Sequence, residues 1–268
     1  VSDRGMRLLL TILREGKVIE EQDGLIALTE EFSHALAYRD LMELKSSLTS
    51  LAAHDLLDYF ADFVFRPDRF TQKARYFRLF AYDRCFTCSP EKEAIAKRWM
   101  QITTTLTKYE AQVCQKLYDF SEHSNMLDIG GNSGEFALRI CRQYQKIQAT
   151  VFDLPQVCEI GRKHIELEPE ANRISFIKGN ALTDVLPRCF DLITFKSMLH
   201  DWPEKEAKQL IENASRSLSP GGVLLIFERG PVEVDKIGLS YSIIPILLFY
   251  HSFRPPLIYE KHLDELHF

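Results

Sequence analysis

Apolar residues recur at Met6, Leu9, Leu10 and Leu13, a helical spacing over residues 4–15 that Gly16 closes. Two short runs, 17–21 and 25–28, flank Gln22-Asp23-Gly24 and predict a hairpin. Thr29 followed by Glu30 and Glu31 opens the next helix. Helix, hairpin, helix is the back half of a winged-helix unit, whose first helices would precede Val1. Residues 33–88 are helical in pattern and rich in aromatics, among them Tyr59, Phe60, Phe63, Phe65, Tyr76, Phe77 and Phe80, most of which read as packing between helices. Ser89-Pro90 with Glu91 and Glu93 marks the start of a long helix reaching about Leu117. The boundary between a mostly α domain, 1–88, and a second domain, 89–268, is placed there.

From Asn125 the period changes. Strands are predicted at 126–129, 149–152, 174–178, 191–196 and 222–228, with helices at 134–144, 157–166 and 203–217 between them. This alternation means an α/β domain with a parallel sheet and crossover helices on both faces. A sheet of seven strands would need two more beyond Phe268.

The chain has 268 residues, 46% of them hydrophobic and 26% charged, enough to build two domains with a buried core. The net charge is −5 and the basic residues are scattered, which argues against a nucleic-acid partner. The longest apolar stretch, 239–253, contains Ser240, Ser242, Pro245 and His251 and is too short to span a bilayer. A cytoplasmic protein without membrane attachment is expected. Cys85 and Cys88 form the one C-x-x-C among six cysteines, with no second pair at zinc spacing; two reduced thiols are expected, and no metal site.

The strongest local signal is Asp128-Ile129-Gly130-Gly131-Asn132-Ser133-Gly134 at a strand-to-helix turn. Glycines there let a ligand approach the backbone, and the helix beyond can donate N–H groups. The dinucleotide pattern G-x-G-x-x-G fails at Asn132 and Glu135, so S-adenosylmethionine suits the turn better than NAD. A plain tight turn is the alternative. Asp153 ends the next strand, where an acid can accept both ribose hydroxyls of a nucleoside or simply cap the helix that Pro155 begins. Ser219-Pro220-Gly221-Gly222 is a turn before a strand. His200 follows the 191–196 strand, and Glu228 ends the strand after it. If the two strands adjoin, about 5 Å apart, Glu228 can orient the imidazole of a catalytic His200. Otherwise His200 is structural.

Together these segments resemble the plant-type O-methyltransferases, a family that includes caffeic acid and acetylserotonin O-methyltransferases and many bacterial tailoring enzymes. The matching pieces are Leu127 to Gly134, Phe152-Asp153-Leu154-Pro155 with Val157, Lys178-Gly179-Asn180, Lys196 with Leu199-His200-Asp201-Trp202, and Ser219 to Glu228; Trp99-Met100-Gln101 resembles the family's Met-bearing helix. The resemblance implies a Rossmann-like class I methyltransferase domain behind a partial winged-helix domain that forms a homodimer. It implies that Asp128, Gly130, Gly131 and Gly134 approach the methionine part of S-adenosylmethionine, and that Asp153 with Leu154 takes the ribose. Gly179, Asn180 and Ala181 would meet the adenine, and Lys196 the cofactor region. His200 would be the general base, oriented by Glu228, and Met100, Asp201, Trp202 and Phe249 would line the pocket of a small hydroxylated, aromatic acceptor. The reaction would need no metal.

Three positions depart from the family pattern. Asn180 stands for an Asp, Asn132 for a glycine, and Phe253-Arg254-Pro255 lies where a second Glu precedes an Arg-Thr pair. The last departure leaves methyl transfer to nitrogen or carbon, or a relative that only binds the cofactor, as a second reading. A winged-helix regulator that binds DNA is a third.

Overall fold

A computed structural model describes residues 2–86, 90–238 and 243–268. Cys88 and Ser89, and with them the C-x-x-C spacing and the predicted boundary, lie outside the described residues, as does the 239–242 part of the apolar stretch. The chain packs as two compact units, Val1–Ser47 and Leu48–Phe268, so its packing divides earlier than its composition does at 88/89.

In the first unit, helix α1 (Asp3–Glu15) starts at Ser2, whose side chain accepts from the Gly5 N–H. Strands β1 (Ile19–Gln22) and β2 (Leu25–Leu28) pair antiparallel, with Asp23 and Gly24 at positive φ in the turn. Thr29 caps α2 (Glu30–Ala35) by accepting from the Phe32 N–H at 3.1 Å. Leu8, Leu9 and Ile12 on α1 are exposed, as are Leu25, Ile26 and Leu28 of the hairpin.

Helix α3 (Arg39–Phe65) kinks at Tyr59 and leads to α4 (Pro67–Lys73). Two acids on α3 are buried because each has partners: Asp55 takes Arg75 Nε at 3.0 Å and the Tyr76 N–H at 2.8 Å, and Asp62 takes Lys73 Nζ at 2.9 Å. Aromatic 3₁₀ turns (Phe77–Phe80, Tyr82–Phe86) follow, then the long α5 (Pro90–Leu117). The chain continues as β3 (Asn125–Ile129), α6 (Glu135–Gln143), β4 (Gln148–Asp153), α7 (Pro155–Ile165), β5 (Ile174–Lys178), β6 (Phe190–Lys196), α8 (Glu204–Ser215) and β7 (Leu218–Phe227). Among the described residues, three short helices follow: α9 (Val234–Ile237), α10 (Ile244–Leu247) and α11 (Pro256–Asp264).

The five strands β3 to β7 form one parallel sheet in the order β5-β4-β3-β6-β7. Successive side chains of a strand point to opposite faces, and the core divides accordingly. Met126, Val151 and Leu192 pack with Ala111 and Cys114 of α5 and with α6 on one face. Leu127, Ile129, Ile193 and Phe195 pack with Leu210 and Ile211 of α8 on the other. The predicted Ser219-Pro220-Gly221-Gly222 turn lies inside β7. Phe190 pairs with Leu218 and Leu192 with Val223, so these four residues loop out of the ladder opposite one residue of β6, with Gly221 at φ +75°. No helix among the described residues is long and apolar enough to cross a membrane.

Candidate active site

The carboxyl ends of β3, β4, β6 and β7 bring most of the predicted residues to one edge of the sheet. The turn after β3 has Gly130, Asn132 and Gly134 at positive φ, +68°, +55° and +77°. Asn is among the side chains that tolerate this region best, so Asn132 keeps the turn's shape where a glycine was expected. A Cβ on Gly131 would lie 2.5 Å from Asp128 Oδ2, and one on Gly130 2.7 Å from the Met198 side chain. Helix α5 braces the turn: Thr103 donates to Asn132 Oδ1 at 3.2 Å and Thr104 to Ser133 Oγ at 2.6 Å. Neither threonine stands out in the sequence, because nothing in a helical pattern says which loop it will face.

Two acids floor this turn. Asp128 is buried; one oxygen accepts from Thr194 at 2.7 Å and the other has no hydrogen-bond partner. Burial pushes its pKa up to about 7. Asp153 accepts from the N–H of Asn132 at 2.8 Å and of Leu154 at 2.7 Å, one bond to each oxygen, and burial raises it to about 6. Each of its oxygens retains a lone pair. Gly179 packs so closely on Phe152 that a Cβ would fall 2.3 Å from the ring. Asn180 turns its side-chain oxygen to the Leu182 N–H at 3.0 Å, and Asn213 ties the neighbouring Ala181 carbonyl at 2.9 Å.

Lys196, at the end of β6, turns its ammonium toward α5. Its ammonium donates to Thr107 Oγ1 at 2.8 Å and to Glu110 on α5. Glu110 also pairs with Arg229, so one carboxylate joins the ends of β6 and β7 to α5. Burial opposes its charge, but the two cations outweigh that and hold its pKa below the usual range. Sequence reading missed Glu110, which looks like any polar residue of a long helix.

His200 lies in a 3₁₀ turn, Leu199–Asp201, just past β6 and is buried. Because β6 and β7 are neighbours, Glu228 reaches it: Oε2 is 2.7 Å from His200 Nδ1. A carboxylate only accepts, so Nδ1 carries the hydrogen and Nε2 is the ring's basic atom. Asp201 Oδ1 stands 3.4 Å from Nε2, and its other oxygen accepts from the Tyr82 hydroxyl. Burial works against a charged imidazole, but Asp201 and Glu228 outweigh it and raise the His200 pKa. Phe249 and Phe253 meet the ring edge to face at 5.8 Å and 5.0 Å. Trp202 stacks on Tyr82, which also meets Trp99, while Met100 is buried beside Trp99, Cys85 and Val157 in the contact between α5 and α7. The structure thus brings Asp201, Trp202 and Phe249 around His200, and sets Met100 behind Trp99. Tyr82 is an addition that no motif announced, and Phe253, met in the sequence only as a departure from the family pattern, packs on the imidazole.

The sequence profile of the O-methyltransferase domain family matches residues 60–237. The chain is similar to the probable bifunctional dTTP/UTP pyrophosphatase/methyltransferase protein of Homo sapiens, with 33% identity over 131 residues, 49% of this chain and 21% of that protein. It is 26% identical over 255 residues to 3-hydroxy-5-methyl-1-naphthoate 3-O-methyltransferase of Streptomyces sahachiroi, covering 89% of this chain and 67% of that protein. The chain therefore spans between about a fifth and two thirds of these curated relatives. In fold it is similar to the crystal structure of human N-acetylserotonin methyltransferase in complex with SAM, with TM-score 0.72 and 23% identity over 99% of this chain and 77% of that one. With a parallel Rossmann-like sheet and a family match over more than half its length, the chain belongs to the O-methyltransferase domain family.

Proposed function

We propose that this chain transfers the methyl group of S-adenosylmethionine to a hydroxyl of a small aromatic acceptor, with His200 as general base. The observation that carries the reading is the His200–Glu228 pair, 2.7 Å apart at neighbouring strand ends. The residues at the glycine turn suit a cationic nucleoside cofactor. Asp128 offers a buried acceptor oxygen without a partner, and Asp153 has lone pairs left on both oxygens. Gly130, Gly131 and Gly134 would take its methionine part, Asp153 and Leu154 the ribose, and Gly179, Asn180 and Ala181 the adenine; Asn180 would have to share its oxygen with Leu182. Lys196 acts on the cofactor region only through the Glu110 network. When bound, the cofactor supplies a methyl already activated by a sulfonium.

The chain's own task is then to align the acceptor, remove its proton and exclude water. A phenol has a pKa near ~10, so at neutral pH a positioned base contributes roughly 10²- to 10⁴-fold. His200 Nε2 would take the proton, while Glu228 holds the ring and stabilises the imidazolium. Phe249 and Trp202 offer apolar rings for a flat acceptor, and Asp201 a carboxylate beside the base. Nothing in these steps requires a metal.

The family's second acid is replaced in sequence by Phe253, yet His200 has a carboxylate at each ring nitrogen, Glu228 at one and Asp201 at the other. This favours transfer to oxygen over the nitrogen or carbon reading. Residues 1–88 form the assembly part of the molecule and 89–268 the catalytic part, a functional division distinct from packing. The exposed Leu8, Leu9 and Ile12, together with Leu57 at 83% and Phe65 at 79% exposure, support a homodimer through the N-terminal helices. The deciding experiment incubates the chain with S-adenosylmethionine and a library of phenols, anilines and carbon acids. A gain of one methyl on a phenolic oxygen is expected, and gains only on nitrogen or carbon would exclude the reading.

A further inference from the structure

We propose that Arg254 is a positioning residue for His200, gripping the turn that carries the base from the side opposite Glu228. The inference rests on His200 being the base.

The Leu199–Asp201 turn is too short to hold its own shape. Its backbone bonds are Asp201 N–H to Met198 O at 3.2 Å and Trp202 N–H to Leu199 O at 3.3 Å, the poor geometry usual for an isolated 3₁₀ turn. Two side chains supply the rest. From the end of β7, Glu228 Oε1 accepts from the N–H groups of Met198 and Leu199, both at 2.6 Å. From the C-terminal segment, Arg254 Nη1 donates to Leu199 O at 3.0 Å and Nη2 to Trp202 O. The anion holds the turn's N–H groups and the cation its carbonyls, each with the charge that suits the dipole it meets. The two carbonyls that Arg254 spans lie on either side of His200 and Asp201. A planar guanidinium can hold both at once, which a lysine ammonium cannot do in the same geometry.

The residue beside it completes the contact. Phe253 packs on the imidazole with ring centres 5.0 Å apart and an interplanar angle of 63°. One short segment therefore fixes the backbone under His200 and covers its ring. Misplacing a catalytic group by about 1 Å can cost on the order of 10²-fold in rate, so loosening this grip should be read in turnover.

The test measures S-adenosylhomocysteine release from an accepted phenol by the whole chain, comparing wild type with Arg254→Ala, Arg254→Lys, His200→Ala and the double variant. Arg254→Ala should lower kcat by about 10-fold or more while acceptor KM and cofactor Kd change less than about 2-fold. Arg254→Lys should not restore kcat. Guanidinium chloride added at millimolar concentration should recover part of the loss in Arg254→Ala and none in His200→Ala. In the His200→Ala background the second substitution should have no further effect. A wild-type kcat in Arg254→Ala, or an equal loss in both backgrounds, overturns the proposal while leaving the base assignment standing. Full turnover by His200→Ala overturns the base assignment itself. If Arg254→Ala does not fold, by circular dichroism, Arg254→Lys carries the kcat test, and a wild-type value there rejects the proposal.

Discussion

Glu228 and Arg229 are chain neighbours whose side chains part to opposite faces of the sheet. Glu228 meets His200, and Arg229 meets Glu110 on α5. The split continues the alternation of β7, in which Val223, Leu225 and Phe227 face the α5 side and Leu224 and Ile226 the α8 side. One strand end thus serves the proposed base and the support of the sheet at once.

The first prediction concerns the base. His200→Ala should lower turnover by about 10²-fold or more and leave cofactor affinity unchanged. Glu228→Gln should cost less, because the base remains and only its orientation and charge support weaken. The active form of His200 is neutral and its pKa is raised, so activity should climb with pH and reach half its plateau above the ordinary imidazole value. Removing the Glu228 charge takes away one of the causes of that rise and should move the acidic limb to lower pH. A limb that stays in place in Glu228→Gln would detach the pH profile from this pair.

A second prediction addresses the cofactor. Asp153→Asn should keep the fold and weaken S-adenosylmethionine binding by about 10-fold, since one acceptor oxygen is replaced by a donor. Calorimetry reads both proteins directly, and NAD should give no heat with either. Equal affinities in wild type and variant would remove Asp153 from the cofactor site.

Much of this arrangement is legible in the residues alone. The strands at 126–129 and 174–178 declare themselves by apolar runs between helical periods, and their parallel direction in one sheet follows from the alternation. His200 and Glu228 could be brought together on paper because both stand at strand ends, and the adjacency of β6 and β7 then supplies the contact. Lys196 shows where such reasoning stops. By alternation it shares a face with Leu192 and Thr194, but that α5 covers this face and presents Glu110 there is a tertiary fact. Tyr82 and Asp201 are 119 positions apart in the chain and hydrogen-bonded in the fold. No local pattern joins them. The turn at 219–222 was readable as a turn, but its inclusion in β7 depends on the register with β6.

The third prediction tests the Glu110 network. Its carboxylate is 22% exposed and faces two cations, so Glu110→Gln leaves Lys196 and Arg229 without their anion in a mostly buried place. Breaking a buried pair on one side costs about 3–5 kcal/mol, and the remaining exposure should reduce this to about 2 kcal/mol. Chemical denaturation of wild type and variant measures it. Glu110→Gln with Lys196→Met should recover part of the loss, because one of the stranded charges is gone. Recovery of nothing would mean that the two side chains act independently.

The last prediction is a pH dependence of stability carried by Asp128. Its pKa is about 7 in the folded chain, against about 3.9 for an unfolded aspartate. Between these values the folded state binds more protons than the unfolded one, so stability must fall as pH rises from about 4 to about 7. Three pKa units correspond to up to about 4 kcal/mol. Asp153, at about 6, contributes in the same direction, but its share ends near pH 6. Asp128→Asn removes the ionisable group while keeping an oxygen to accept from Thr194. It should therefore be less stable than wild type at pH 4, where a neutral carboxylic acid already suits the site. It should gain steadily on the wild type up to pH 7 and no further beyond. Urea unfolding of both proteins without cofactor, at unit steps from pH 4 to 8, follows the difference directly. Subtracting one curve from the other cancels the shared groups that do not feel the Asp128 charge, while Asp153, which raises the Asp128 pKa, stays in the difference. A constant difference across that range would mean that the Asp128 carboxylate ionises as it does in water and that its burial is relieved by solvent.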